Sequence, residues 1–124
     1  MDPIADMLVA IKNGYMAKKS QVLVPYSKFK FEIAKVLEKE NFVGKTQKKD
    51  NLLLVDIIYD NKNPKLHQIK KVSKLGLRIY IKSKNIKKVK GGRGITIIST
   101  PKGVMAGHDA KKKNLGGEVI CQVW

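Results

Sequence analysis

Apolar positions recur every three or four residues near the start of the chain and alternate with polar ones through most of the rest. The pattern predicts helices first and strands afterwards. Ile4, Leu8 and Ile11 fall at helical spacing with Met7 beside them. Asp2 followed by Pro3 supplies an N-cap and a proline at the first helical position, and Gly14 is the expected end of this helix. Residues 21–24 read as a short strand stopped by Pro25. Ser27 is placed to cap a second helix running to about residue 40, with Phe29, Ile33, Val36 and Leu37 as its apolar stripe. Phe42-Val43 is expected to open a strand, residues 45–51 are polar and turn-like, and 52–59 is a β-branched run expected to return antiparallel.

The cluster Asp60-Asn61-Lys62-Asn63-Pro64 is the expected turn and lobe boundary. Beyond it the helical period fades. Strands are predicted over 66–72, 77–82, 95–99 and 119–124, with a turn near Gly76, a short apolar pair at Ile86 and Val89, and a Gly91-Gly92-Arg93-Gly94 turn. Residues 109–115 suit a short helix with Gly116 as its left-handed C′ residue. The predicted class is α+β in two small lobes: an N-terminal helix–strand–helix–strand lobe over 1–62 and a mainly β lobe over 63–124.

Charge changes this picture from architecture to chemistry. The net charge is +16, yet residues 1–62 hold 11 basic and 8 acidic residues, whereas 63–124 hold 15 and 2. The 48 residues from Asn61 to His108 carry thirteen Lys or Arg and no Asp or Glu. A surface with no local counter-charge calls for a polyanion, and nucleic acid is the commonest. Lysine outnumbers arginine 24 to 2. Either phosphate contacts dominate over arginine-based base readout, or the bias reflects an AT-rich genome; both readings stand.

Several function classes recede. The lone Cys121 allows no internal disulfide and sits in an alternating apolar setting that suits a core thiol. No apolar run approaches the ~18 residues needed to span a membrane. The N-terminus has neither a signal-type apolar region nor an Arg-rich transit pattern, so the protein is expected to act where it is made. His67 and His108 have no cysteine or carboxylate at metal-ligand spacing. No metal, cofactor or catalytic set is therefore expected.

The sharpest local feature is Ile97-Ile98-Ser99-Thr100-Pro101-Lys102-Gly103-Val104, an apolar strand ending in two hydroxyls and a tight turn. Hydroxyls and free N–H groups there suit sugar, phosphate or base edges, and Lys102 suits a phosphate. A plain Ser/Thr turn is the alternative.

The run from Gly94 through Met105, followed by Ala110-Lys111, resembles the signature of the bacterial small-subunit ribosomal protein eight (S-eight) family. So do Asp2-Pro3-Ile4-Ala5-Asp6-Met7-Leu8, Pro25-Tyr26-Ser27-Lys28-Phe29-Lys30, Gly76-Leu77-Arg78-Ile79-Tyr80 and the C-terminal Gly116-Gly117-Glu118-Val119-Ile120-Cys121-Gln122-Val123-Trp124. The five blocks stand in family order across essentially the whole chain. The resemblance implies a structural constituent of the small ribosomal subunit. It would be a monomer in the ribosome, binding the central domain of the 16S ribosomal RNA early in assembly beside other small-subunit proteins. In some family members the same binding represses the operon messenger RNA. The setting implied is a bacterial cytoplasm or an organelle-encoded ribosome.

Carried over by the resemblance, Ser99, Thr100, Lys102 and Gly103 form the RNA-contacting turn. Tyr80 would stack on or hydrogen-bond to RNA, with a core aromatic as its alternative. Glu118 would accept from base amino groups, with an ion pair to a local lysine as its alternative. Ser27, Lys28 and Lys30 match a first-lobe basic patch, with helix capping and a solvated face as theirs. Ala106-Gly107-His108-Asp109 departs from the family's helix start, so Asp109 is expected to take over the N-cap. Gln122, Leu75 and Arg93 also depart from the usual residues. A nucleoid-like DNA-binding protein is the runner-up class, and a basic RNA-modifying enzyme comes third.

Overall fold

The computed structural model describes residues 2–60 and 63–124; Asn61 and Lys62, inside the expected 60–64 turn, lie outside the described residues. The chain forms two compact units that divide between His67 and Gln68.

The first unit sets two helices with a three-stranded sheet. Helix α1 spans Pro3–Met16, strand β1 Gln21–Pro25, helix α2 Lys28–Lys39, β2 Thr46–Lys49 and β3 Leu52–Asp56. The strands run antiparallel in the order β1-β3-β2. Asp2 caps α1 as expected, its carboxylate accepting from the N–H groups of Ile4 and Ala5 at 3.1 and 3.2 Å. Ser27 caps α2 through the Lys30 N–H at 3.1 Å. Met7, Leu8, Ile11, Ile33, Leu37, Leu53 and Val55 are fully buried and form the apolar interior. Two short strands follow, β4 Tyr59–Asp60 and β5 Asn63–Pro64, paired antiparallel.

Gly14 does not end α1. It lies inside the helix, where a Cβ would sit 2.4 Å from the Val22 side chain, so its missing side chain lets α1 approach β1. Both helices end in the same hydrogen-bond pattern, and neither uses glycine. After α1, Lys19 N–H donates to Gly14 and Lys18 N–H to Tyr15; after α2, Phe42 N–H donates to Leu37 and Asn41 N–H to Glu38. Lys18 and Asn41 take the left-handed conformation, at φ 56° and 65°. These are Schellman ends. They explain why Phe42-Val43 opens no strand: the pair is buried in the chain reversal that terminates α2.

Residues 45–51 are likewise not a turn alone. Thr46–Lys49 is an edge strand whose first residue is buried and whose lysines face out. Edge strands carry such lysines against stray pairing, which is why polarity hid this one.

The second unit is an antiparallel sheet. Its strands are β6 Ile69–Lys71, β7 Tyr80–Ile81, β8 Ile95–Thr100, β9 Gly103–Ala106 and β10 Gly117–Val123, with helix α3 at Gly107–Lys112. The order is β6-β10-β8-β9, and β7 also pairs with β10. Asn114, at φ 56°, takes the left-handed C′ position of α3 in place of Gly116. Gly116 serves close packing instead, since a Cβ there would lie 2.5 Å from the Ile81 carbonyl oxygen. Ala106, not Asp109, is the N-cap, and it offers no side-chain hydrogen bond; Asp109 falls in the first turn.

Side chains alternate across this sheet. Ile98 faces α3 and packs with Ile86, Ala110, Ile81, Met105 and Leu115. Between Val119 and Cys121 the β10–β8 register shifts, leaving Ile120 as an extra residue. The bulge resets which face the strand presents, so Val119, Ile120 and Cys121 are all buried in succession. Burial pushes the Cys121 thiol up to about 12, with the Lys71 ammonium opposing.

Candidate nucleic-acid interface

Three residues far apart in sequence meet on one face of the second unit. Glu118 on β10 stands directly opposite Ser99 on β8 and, on its other side, directly opposite Tyr80 on β7. Directly paired antiparallel residues point to the same side of the sheet. Tyr80, Glu118 and Ser99 therefore form a row across three strands, on the face opposite the Ile98 side that α3 covers. Glycine makes the row possible: a Cβ on Gly117 would lie 2.0 Å from the Ser99 carbonyl oxygen.

Tyr80 is 69% exposed, so its ring is presented to solvent and not to the core. Glu118 is engaged by an arginine, with Arg78 Nη1 donating to its Oε2 at 3.3 Å. The alternative of an ion pair with a local lysine gives way to a guanidinium partner, itself half exposed. Such a surface pair stabilises the fold little, about 0–1 kcal/mol. It does orient two groups that can hydrogen-bond to bases.

The loop holding Tyr80 has its own support. Ser73 is fully buried, and its hydroxyl accepts the Ile79 N–H at 2.9 Å. The Ile79 carbonyl in turn accepts the Val119 N–H at 2.8 Å. Residues 74–77 fold into a tight reversal between these bonds, with Gly76 at φ 82°.

The turn at 99–104 has a division of labour. Thr100 pairs with Gly103 to close the β8–β9 hairpin around Pro101 and Lys102. The Thr100 hydroxyl donates to the Gly103 carbonyl at 2.7 Å and accepts the Lys102 N–H at 3.1 Å. Thr100 is buried, so it fixes the turn from within. Gly103 adopts φ 119°, which a side chain would strain. Lys102 is exposed at the tip. Ser99 is half-buried, next to Glu118 in the row.

The first-unit residues are arranged differently. Lys28 is exposed, whereas Lys30 is buried at 7% of its full accessibility. Ser27 spends its hydroxyl oxygen on the Lys30 N–H. These three do not make an open patch of three donors; Lys28 alone faces solvent fully.

Arg78, Ser73 and Gly117 were not singled out from sequence. Each acts through a contact made by the folded chain, a loop hydrogen bond for Ser73, an ion pair 40 residues away for Arg78 and a close strand approach for Gly117, which a single sequence does not display. The adjacent pair Gly116-Gly117 in a β-branched setting was the one available signal.

A family model described as Ribosomal protein S8 matches residues 2–124. The small ribosomal subunit protein uS8 of Roseiflexus castenholzii is 44% identical over 128 residues, spanning 99% of this chain and 97% of that protein. The uS8 of Persephonella marina is 44% identical over 133 residues, spanning 99% and 98%. That of Oleidesulfovibrio alaskensis is 38% identical over 123 residues, again spanning 99% and 98%. The resemblance read from five sequence blocks and the match along nearly the whole length agree: the chain belongs to the ribosomal protein S8 family.

Proposed function

We propose that this chain is a structural, non-catalytic constituent of the small ribosomal subunit and binds the central domain of its RNA through the second unit. Family membership supports the ribosomal role. The observation that carries the RNA-binding surface is the Tyr80–Glu118–Ser99 row, assembled on one face of the most basic part of the chain.

In this reading the row recognises RNA shape and the lysines supply attraction. Tyr80 offers a ring on which an unpaired base stacks. Glu118 accepts from base amino groups while Arg78 tempers its repulsion of phosphate. The Ser99 hydroxyl bonds to a sugar or base edge, and Lys102 neutralises a phosphate. Thr100 and Gly103 hold the turn that presents Lys102, and Ser27 and Lys30 shape the end of α2 that presents Lys28. The protein acts as a monomer beside other small-subunit proteins, in a bacterial-type ribosome. An RNA of similar shape in its own message would compete for the same surface.

The test is binding to a short transcript of the central-domain hairpin at about physiological salt, against a scrambled RNA and a duplex DNA of equal length. The expected preference for the hairpin is roughly a thousandfold. Equal binding to all three would reduce the protein to a polycation and bring the DNA-binding reading forward.

A further inference from the structure

The face of the second unit that carries α3 has a groove of about 460 Å³. Its floor is aliphatic, with Ile86, Val89 and Ile95 contributing beside Thr96. Gly107 opens it at one end: a Cβ there would come within 3.0 Å of Ile86 and 3.4 Å of Thr96. The rim is cationic. Lys87 and Lys88 stand on one side and Lys111 and Lys112 on the other, all exposed. The Lys111 ammonium donates to the Ile86 carbonyl at 3.1 Å, which ties α3 to the segment that forms the opposite wall.

Parity along β8 separates this groove from the RNA row. Thr96 and Ile98 share one side of the strand, and Ser99 points to the other. A helix of RNA lying on Tyr80, Glu118 and Ser99 leaves the α3 face open. We infer that this groove is a second binding site, for an acidic protein segment that inserts one aliphatic side chain between flanking carboxylates.

Two observations favour a peptide over a second stretch of RNA. The floor holds no Phe, Tyr or Trp ring for a base to stack on, and the one imidazole of the lining, His108, is exposed and lies 3.3 Å from the Asp109 carboxylate, whereas stacking carries single-stranded recognition. Its one side-chain hydroxyl, on Thr96, is too little for reading a base edge. An aliphatic side chain needs neither, and four lysines around an apolar floor complement an Asp/Glu-rich segment with a Leu or Ile anchor. The lobe would then join RNA on one face to a protein on the other.

The probe is a synthetic twelve-residue peptide with a central Leu flanked by Asp and Glu, titrated into the isotope-labelled full chain. Resonances of Thr96, Gly107 and Lys111 are expected to shift, and those of Tyr80, Ser99 and Glu118 to stay in place. Replacing the peptide's Leu by Gly should weaken binding about tenfold or more, the effect of losing one buried aliphatic side chain. Lys88→Glu with Lys112→Glu should weaken it by a similar factor; both side chains are exposed, so the fold should be kept. Loss of affinity with the charge-reversed chain but not with the Leu→Gly peptide would reduce the site to non-specific charge and overturn the inference. So would the absence of shifts around the groove, or shifts there produced by a single-stranded oligonucleotide in preference to the peptide. A failure of the hairpin-binding test would leave these outcomes unaffected, because the two faces are read by separate resonances.

Discussion

The two units carry similar lengths of chain and different electrostatic designs. Up to His67 the sequence has twelve basic and eight acidic residues; from Gln68 onward it has fourteen and two. In the first unit acids are spent on the fold. Asp2 caps α1, and Glu38 accepts from the Thr46 hydroxyl at 2.7 Å and from the Lys35 ammonium at 3.2 Å. These bonds, the Thr46 one foremost, hold the Glu38 carboxyl below its usual range. In the second unit the one acid on the sheet, Glu118, stands in the row with Tyr80 and Ser99, and the structural bonds come from neutral hydroxyls such as Ser73 and Thr100. The difference teaches how a small lobe keeps a strongly positive face: it builds its turns from groups that do not cancel the charge.

The largest effect should come from Gly117→Ala. The added Cβ cannot coexist with the Ser99 carbonyl at 2.0 Å, so the second unit should lose about 3 kcal/mol. Labelling of Cys121 by a thiol reagent measures this, because the buried thiol reacts only when the second unit opens. Leu53→Ala is the matching change in the first unit. It should cost about 3 kcal/mol by leaving a cavity, while Cys121 labelling below the melting transition stays slow. If the two substitutions raise labelling equally, the units are one cooperative body and the comparison fails.

Ser73→Ala comes next. It strands the Ile79 N–H in a buried site, at a cost of about 1–3 kcal/mol, and hydrogen exchange should quicken over residues 74–80. Thr100→Ala and Ser99→Ala then separate neighbours. Thr100→Ala should lower thermal stability by about 1 kcal/mol, since both of its turn bonds go. Ser99→Ala should leave stability unchanged and weaken hairpin binding by about tenfold, the worth of one hydrogen bond at an interface. Lys102→Ala should do neither strongly, but should lower the slope of log affinity against log salt by about 0.7–0.9.

Alkaline pH probes both units at once. Burial pushes the Tyr15 hydroxyl up to about 12 in the first unit and the Cys121 thiol up to about 12 in the second. In the unfolded chain these groups release protons near 10 and 9. The fold then holds protons that the unfolded chain has lost, so stability is full below those values and falls as pH rises toward 12. Tyr15→Phe should remove the first unit's share of that fall, as read by pH-dependent melting.

The sequence made legible what depends on local spacing: both long helices, their Asp2 and Ser27 caps, the α+β class and the charge divide. It misled where one residue type was taken for one job. Glycine was expected at helix ends, yet Lys18, Asn41 and Asn114 hold the left-handed positions, and Gly14 and Gly116 serve close packing. The residues of the Tyr80–Glu118–Ser99 row were legible separately through family resemblance. The assembly of the row was not, because the alignment depends on strand order and on the partner of each residue in β10. Thr100 and Lys30 show the reverse case: residues carried over as contacts whose groups the fold already uses or buries.

The most direct measurement is the ratio of hairpin to scrambled-RNA affinity for Tyr80→Ala, taken across a salt series. The side chain is exposed, so the fold should be intact. The account predicts that the ratio falls by about tenfold or more, the worth of one stacked base, with the salt slope unchanged. A ratio equal to that of the unsubstituted chain would contradict it, and would move recognition away from the three-strand row.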